Sequence, residues 1–266
     1  MKVTAIVLAG RRSGTLDPLA AAAGVPLKCL VPVAGKPLIH HVIAALLSSP
    51  SVATARIVVH EIALMEEFLA SSFPAPAKPV EIIPAAHNLV DSIFAGANNA
   101  AYPLLITTAD NVMLTPRSVE EFVTGAKDPG NGAAVAMARR EAVQLAHPEG
   151  QRRFYRFSDG EFSNCNTYWI GTREALSAAK TFRSGGQFIK FPSRIAKTFG
   201  VLNLFRFYFG LGKVQTCFDN IGRRLGLPLK MIELSDGAMA IDVDNDRSQR
   251  VTEKLLEKRA AATLSA

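Results

Sequence analysis

The stretch Val3-Thr4-Ala5-Ile6-Val7-Leu8-Ala9-Gly10-Arg11-Arg12-Ser13-Gly14 decides the fold. Val3 to Leu8 carry no charge and are rich in β-branched residues, the composition of a strand buried on both faces of a parallel sheet. The strand runs directly into a glycine-containing turn, and ligands of open α/β sheets bind at the carboxyl ends of the strands. Backbone N–H groups along Leu8, Ala9, Gly10, Ser13 and Gly14 can cradle a triphosphate there, with Arg11 and Arg12 adding charge. The turn fits neither the Walker pattern nor GxGxxG, and taken alone it can be only a turn.

Working outward, the chain up to about Arg140 alternates β-rich runs with helical patterns, the sequence form of a parallel sheet covered on both faces. Strands are expected at residues 3–8, 56–60, 80–83, 104–108 and 133–138. Helices are expected from Pro37 onward and at residues 64–71, 87–100 and 116–124. Beyond Arg140, Ser158-Asp159-Gly160 flanked by aromatics predicts a hairpin. A strand at residues 166–170, a helix opening at Thr172, a final strand at residues 238–243 and a terminal helix follow. The expected architecture is α/β: a Rossmann-like, mostly parallel sheet with helices on both faces and a smaller acceptor-side β-rich and helical region. It forms one domain, with residues 1–140 as the nucleotide-binding half and residues 141–266 as the acceptor-side half.

With 266 residues, 48% of them hydrophobic, the chain has material for a sizeable core. Three cysteines without ligand-like spacing indicate neither a disulfide framework nor a zinc site. The apolar run after Lys2 is too short for a signal-peptide core, and no stretch has the length of a spanning helix, so a cytoplasmic protein is expected. The net charge of +7 is local: residues 183–230 hold nine cations and one acid, 9 − 1 = +8, leaving −1 for the remainder.

Pro26-Leu27-Lys28-Cys29-Leu30-Val31-Pro32-Val33-Ala34-Gly35-Lys36-Pro37-Leu38-Ile39 then places Lys28 and Lys36 on either side of a short apolar run, where both can be aimed at one mouth. This run, together with the leucine-alanine-glycine loop, resembles the nucleotidyltransferases of the GT-A type fold. It is most similar to the proteins like molybdenum-cofactor guanylyltransferase, the MobA-like family. The resemblance implies that the glycine loop holds a triphosphate whose charge is offset by Arg11 or Arg12 and by Lys28. Arg11 stands where the family has its second glycine, so both arginines stay open for that role.

Asp110 ends the expected strand Leu104 to Thr108, a placement that suits a ligand of Mg2+, which takes oxygen donors and only one or two carboxylates. The family carries an aspartate there. The alternative, a helix cap, is met better by Thr115 before Pro116. Asp242-Val243-Asp244-Asn245-Asp246 resembles the family's closing D-x-D run, with Asp242 ahead of Asp244 as a metal ligand; the competing role is capping the last helix. Asn88 and Ser92, four apart on an expected helix, share a face that in the family lies near the nucleotide. Asn164 and Asn166 match the position of an acceptor-side glycine-asparagine pair.

The implied reaction joins a nucleoside triphosphate to a small phosphorylated acceptor and releases pyrophosphate. The acceptor is expected between Asn166 and the basic segment, with Arg194 and Lys197 offsetting its charge. The aromatics interleaved with those cations could also lie against an anionic membrane, or form core with a solvated cationic rim. No RNA-binding signature is present, so nucleic acid is not an expected partner. The rival readings are a GT-A glycosyltransferase and a non-catalytic nucleotide-binding protein at the membrane surface. The motifs specify neither the base nor the oligomeric state.

Overall fold

The computed structural model describes residues 1–11, 16–128, 132–178, 200, 205 and 209–264. Strand β1 (Val3–Leu8) lies at the middle of the sheet, with β4 (Val52–Val59) on one side and β6 (Leu104–Thr108) on the other, both parallel to it. Strand β5 (Val80–Pro84) extends the β4 side in parallel. On the β6 side, β9 (Gly160–Ile170) runs antiparallel to β6 and to β7 (Ala133–Arg139), and β10 (Leu229–Glu233) closes the edge parallel to β7. The order is β10-β7-β9-β6-β1-β4-β5, mostly parallel, as the composition of β1 indicated.

The two-residue period of β1 sends Val3, Ala5 and Val7 to one face and Ile6 to the other, and each face has its own cover. Val7 and its neighbours meet α2 (Leu38–Ser48) and α5 (Pro116–Ala126) through Ile39, Val42, Val119 and Phe122. Ile6, with Val58 and Ile106, meets α4 (Leu89–Ala97) and α7 (Arg173–Ala178) through Phe94, Ala97 and Leu176. The close seating of α4 depends on Gly96, where a Cβ would stand 2.8 Å from Val58 Cγ2. Truncating a fully buried residue such as Ile6 to alanine would cost about 2–5 kcal/mol, the usual range for such a cavity.

Most expected elements occur, with shifted ends. The helix expected over residues 64–71 is α3 (Ile62–Ser72), and the one at residues 87–100 is the shorter α4. The turn Ser158-Asp159-Gly160 does join a hairpin, of β8 (Tyr155–Phe157) to β9. Three helices were not anticipated: α1 (Pro18–Ala23), capped by Asp17, α6 (Arg140–Ala146), and one at Val214–Leu225. The strand expected at residues 238–243 is not one. Gly237–Ala240 form a 3-10 turn, and the sheet's last strand is β10 instead. Ala238, Met239, Ala240 and Ile241 are all buried because the turn packs beneath α6, and an unbroken apolar run does not distinguish a buried turn from a strand.

Helix α8 (Val214–Leu225) belongs to the basic and aromatic segment, most of which lies outside the described residues. Its Val214, Cys217 and Ile221 pack on Phe157 and Phe162, with Phe218 against them, while Arg223 and Arg224 face outward. On this helix Phe218 is packed and the cations form a rim, whereas Phe205 and Phe209, the other described aromatics of the segment, are exposed. Helix α9 (Asp246–Leu264) ends the chain. Cys29, Cys165 and Cys217 are free and buried.

Candidate functional site

The carboxyl ends of β1, β4 and β6 share one edge of the sheet, so the loops leaving them are neighbours. Gly10 passes so near His60 that a Cβ would stand 3.1 Å from its ring. Next, the Arg11 N–H donates to His60 Nδ1 at 3.2 Å, and the Arg11 guanidinium lies 3.4 Å from Glu61 with its side chain 61% exposed. Arg11 is thus turned toward α3. Arg12, Ser13 and Gly14 lie outside the described residues.

Lys28 begins a 3-10 turn, Lys28–Leu30, whose surroundings are held by a small core of their own. Leu19 and Ala20 of α1, Val31, Val33 and Leu38 pack with Val112 after β6 and with Val243 after the second 3-10 turn. That cluster ties three sequence-distant segments together. A backbone hydrogen bond from Val243 N–H to the Asp110 carbonyl, 3.2 Å, adds to it. The result is that Lys28 Nζ donates to Asp110 Oδ2 and to Asp244 Oδ1, each at 2.6 Å. Asp110 Oδ1 also accepts from the Thr108 hydroxyl at 2.6 Å. Burial works to lower the Lys28 pKa, but the charges and hydrogen bonds of Asp110 and Asp244 outweigh it and hold Lys28 above its ordinary value.

Asp242 is the enclosed member of the group. Its Oδ2 accepts from Asn166 Nδ2 at 2.7 Å, while its Oδ1 is buried with no hydrogen-bond partner. Burial first, and then the charges of Asp110 and Asp244, push its carboxyl well above the usual range, against the pull of Asn166 and Lys28. The capping role weighed for this stretch falls to Asn245, whose Oδ1 accepts the Ser248 N–H at 3.1 Å. Asp242 and Asp244 are therefore not spent on the helix. Likewise Thr115, not Asp110, caps α5.

Asn166 adopts φ 45°, a left-handed conformation asparagine tolerates better than most residues. Asn164 Nδ2 donates to Asn166 Oδ1 at 3.0 Å and to the Tyr168 hydroxyl at 2.6 Å. This network fixes the amide that orients Asp242. Tyr168 was not foreseen from sequence, nor was Asn111, fully buried and donating to Thr107, Thr167 and the Cys165 carbonyl, which fastens the Asp110 loop to β9. An asparagine one residue after a strand-ending aspartate was the available signal.

The model of the MobA-like NTP transferase domain matches residues 5–187, more than half of the chain and including every segment of this site except Asp242 and Asp244. The chain belongs to the MobA-like NTP transferase domain family. Among solved structures, a hypothetical transferase from Thermus thermophilus superposes with TM-score 0.76 at 24% identity, covering 94% of this chain and 100% of that one. A CMP:2-keto-3-deoxy-manno-octonic acid synthetase complexed with CTP gives TM-score 0.60 at 16% identity, with 97% and 100% covered. A 4-diphosphocytidyl-2C-methyl-D-erythritol synthase from Anaerococcus prevotii gives 0.61 at 8% identity, with 96% and 98% covered. These three share the fold. No curated protein matched the sequence.

The remaining expected residues of this MobA-like domain take other places. Asn88 is the N-cap of α4, its Oδ1 accepting the Asp91 N–H at 2.9 Å and its Nδ2 donating to the Asp91 carboxylate at 2.8 Å. It therefore stands before the helix and does not share a helical face with Ser92, whose hydroxyl accepts the Ala86 N–H at 3.0 Å. Ser92 braces the turn after β5, and Asn88 closes the first turn of α4. Lys36 is exposed in the small β2 (Pro32–Val33) and β3 (Lys36–Pro37) hairpin, and the structure does not bring it to the carboxylates. Arg194 and Lys197 lie outside the described residues.

Among the described residues no three acidic, histidine or cysteine side chains close a metal cage by themselves. The donor set nevertheless suits a hard divalent ion held through one or two carboxylates and completed by substrate oxygens. Asp110, Asp242 and Asp244 offset only one cation, Lys28, and the unpartnered Oδ1 of Asp242 is the kind of buried oxygen such an ion satisfies. No helix among the described residues is long and apolar enough to cross a membrane.

Proposed function

We propose that this MobA-like domain transfers a nucleoside monophosphate from a nucleoside triphosphate to a small phosphorylated acceptor, with magnesium as cofactor and pyrophosphate as the second product. The observation that carries the reading is the convergence of Lys28, Asp110, Asp242 and Asp244, from three distant segments, beside the loop that leaves β1. Nothing in the fold requires three carboxylates to meet there, and their mutual repulsion costs stability unless a cation is recruited.

In this reaction an acceptor phosphate oxygen attacks the α-phosphorus in line. The new O–P bond forms as the bond to the β-phosphate bridging oxygen breaks, and the electron pair leaves with pyrophosphate. A phosphate monoester loses its second proton near pH 6, about a unit below neutrality, so the attack needs no general base. The chain contributes placement and charge. Asp110 and Asp242, with Asp244 at the rim, would hold the magnesium, and Asn166 keeps Asp242 aimed. Bound there, the ion would neutralise phosphate oxygens as a Lewis acid. Lys28, held between Asp110 and Asp244, supplies the positive charge that lets a triphosphate approach an acidic edge. The backbone of Leu8, Ala9 and Gly10, with one of the loop arginines, would face the triphosphate.

Pyrophosphate release is the test, run with ATP, CTP, GTP and UTP against a panel of polyol and sugar phosphates, with and without magnesium. Release that requires one triphosphate, an acceptor phosphate and the metal supports the reading. Nucleotide binding without turnover on any acceptor would support the non-catalytic alternative, and transfer of a sugar from a nucleotide sugar would support the glycosyltransferase.

A further inference from the structure

Beside Asp242 and Asp244, on the β9 side, opens a cleft of about 810 Å³. One wall is the loop before β8, carrying Arg152 and Arg153; the other is the first turns of α9, carrying Arg247 and Arg250; Asn164 and Asn166 lie at its inner end. The charge count along the sequence favours residues 183–230 for the acceptor's cations, whereas these four are split between two short pairs almost a hundred residues apart and form no local cluster.

The cleft is built. Gln151 Oε1 accepts the N–H groups of Arg152 and Arg153 at 2.8 and 3.1 Å, and Gln151 Nε2 donates to the Ala240 carbonyl at 3.3 Å, which fastens the loop to the turn that leads into Asp242. The Arg247 guanidinium donates to the Glu149 carbonyl, which joins the two walls. The side chains of Arg152, Arg153 and Arg250 form no ion pair among the described residues. Apart from Asp242 and Asp244, the lining holds four arginines and one acid, Glu149, a balance of 4 − 1 = +3. Guanidinium forks match phosphate oxygens in pairs, and the amino-terminal end of α9 adds favourable potential for an anion. A phosphate monoester brings about −1.5 to −2.

The order of the sheet sets the direction. The loop after β1, with His60 and Glu61 beside it, lies on the β4 side of Asp110, and the arginine cleft lies on the β9 side. Two anionic substrates can therefore approach the carboxylates from opposite sides. We propose that this cleft is the acceptor subsite, and that Arg152, Arg153 and Arg250, with Arg247, bind the acceptor through a phosphate monoester. The assignment rests on the proposed function for its orientation, but the phosphate site itself can be tested without turnover.

The experiment is calorimetric titration of the full chain, without nucleotide or metal, with glycerol 3-phosphate as probe and glycerol as its uncharged control. Glycerol 3-phosphate is expected to bind, more weakly as salt rises, and glycerol is not. Arg152→Ala/Arg153→Ala and, separately, Arg250→Ala should each weaken binding at least about tenfold. Arg152→Lys/Arg153→Lys should recover part of it, because charge returns without the fork. Triphosphate binding by the same variants should stay within about twofold of wild type, which also reports that they are folded. Equal binding of the probe by wild type and the alanine variants, or no binding by wild type, overturns the assignment. Failure of wild type to bind any triphosphate would instead remove the proposed function and leave the phosphate result to be read by itself.

Discussion

Asp242→Asn should make the protein more stable and stop its chemistry. The wild-type carboxylate is enclosed, has Asp110 and Asp244 as neighbours, and leaves Oδ1 without a partner. A buried acceptor left unsatisfied costs about 1–3 kcal/mol, and a charged one lies at the upper end. In the variant the amide oxygen can keep the 2.7 Å bond from Asn166, and no negative charge is left enclosed beside Asp110 and Asp244. The gain should be about 1–3 kcal/mol at pH 7 without divalent ions, or about 2–12 °C in Tm at about 2–4 °C per kcal/mol. The pH dependence has a definite sign. A carboxyl whose folded pKa is raised costs stability above that pKa, and the cost fades as pH falls through it toward the unfolded value of 3.8. The advantage of the variant over the wild type should therefore shrink on acidification across that window. Turnover should fall at least about 100-fold, since losing a bond that merely supports a metal ligand costs about 10–100-fold. Urea unfolding in EDTA and pyrophosphate release with magnesium measure the two effects. A variant less stable than wild type, or one retaining more than a tenth of its activity, would refute the reasoning.

Lys28→Ala should raise the KM for the triphosphate and lower turnover by at least about tenfold in kcat/KM, equal to about 1.4 kcal/mol, because it leaves three carboxylates facing an anionic substrate with no cation between them. Unchanged steady-state constants would show that Lys28 serves only to neutralise Asp110 and Asp244. Gly237→Ala should cost about 3 kcal/mol in urea unfolding, since its Cβ would fall onto the backbone of Ala142 and Val143, and activity should drop with it because the turn that delivers Asp242 must shift. A midpoint equal to wild type would mean that α6 yields at this contact.

The parts of the site that could be read from sequence are those in which one residue and its immediate neighbours carry the signal. An uncharged β-branched run before a glycine turn marks β1, and an aspartate just beyond another such run marks Asp110. Thr115 before Pro116 announces its own cap by local chemistry, and the structure forms it. Where two local rules compete, the sequence leaves the choice open. Residues 238–243 satisfy a strand pattern and a buried turn equally, and contact with α6 selects the turn. Asn88 looks like a helix-face residue until the helix is seen to begin one position later.

What the sequence by itself determined is the fold class and the family, and it singled out the carboxylates and Lys28 as candidates, because strand burial, turn chemistry and short motifs are properties of contiguous residues. Only the tertiary structure decided what those residues meet. It paired Lys28 with Asp110 and Asp244 across 82 and 216 positions, gave Asp242 to Asn166, turned Arg11 to Glu61, and assembled an arginine cleft from two distant pairs. The physical reason is that a contact at such separation is set by which apolar faces bury together. The cluster of Leu19, Val31, Leu38, Val112 and Val243 settles that, and no pattern within any one of its segments can.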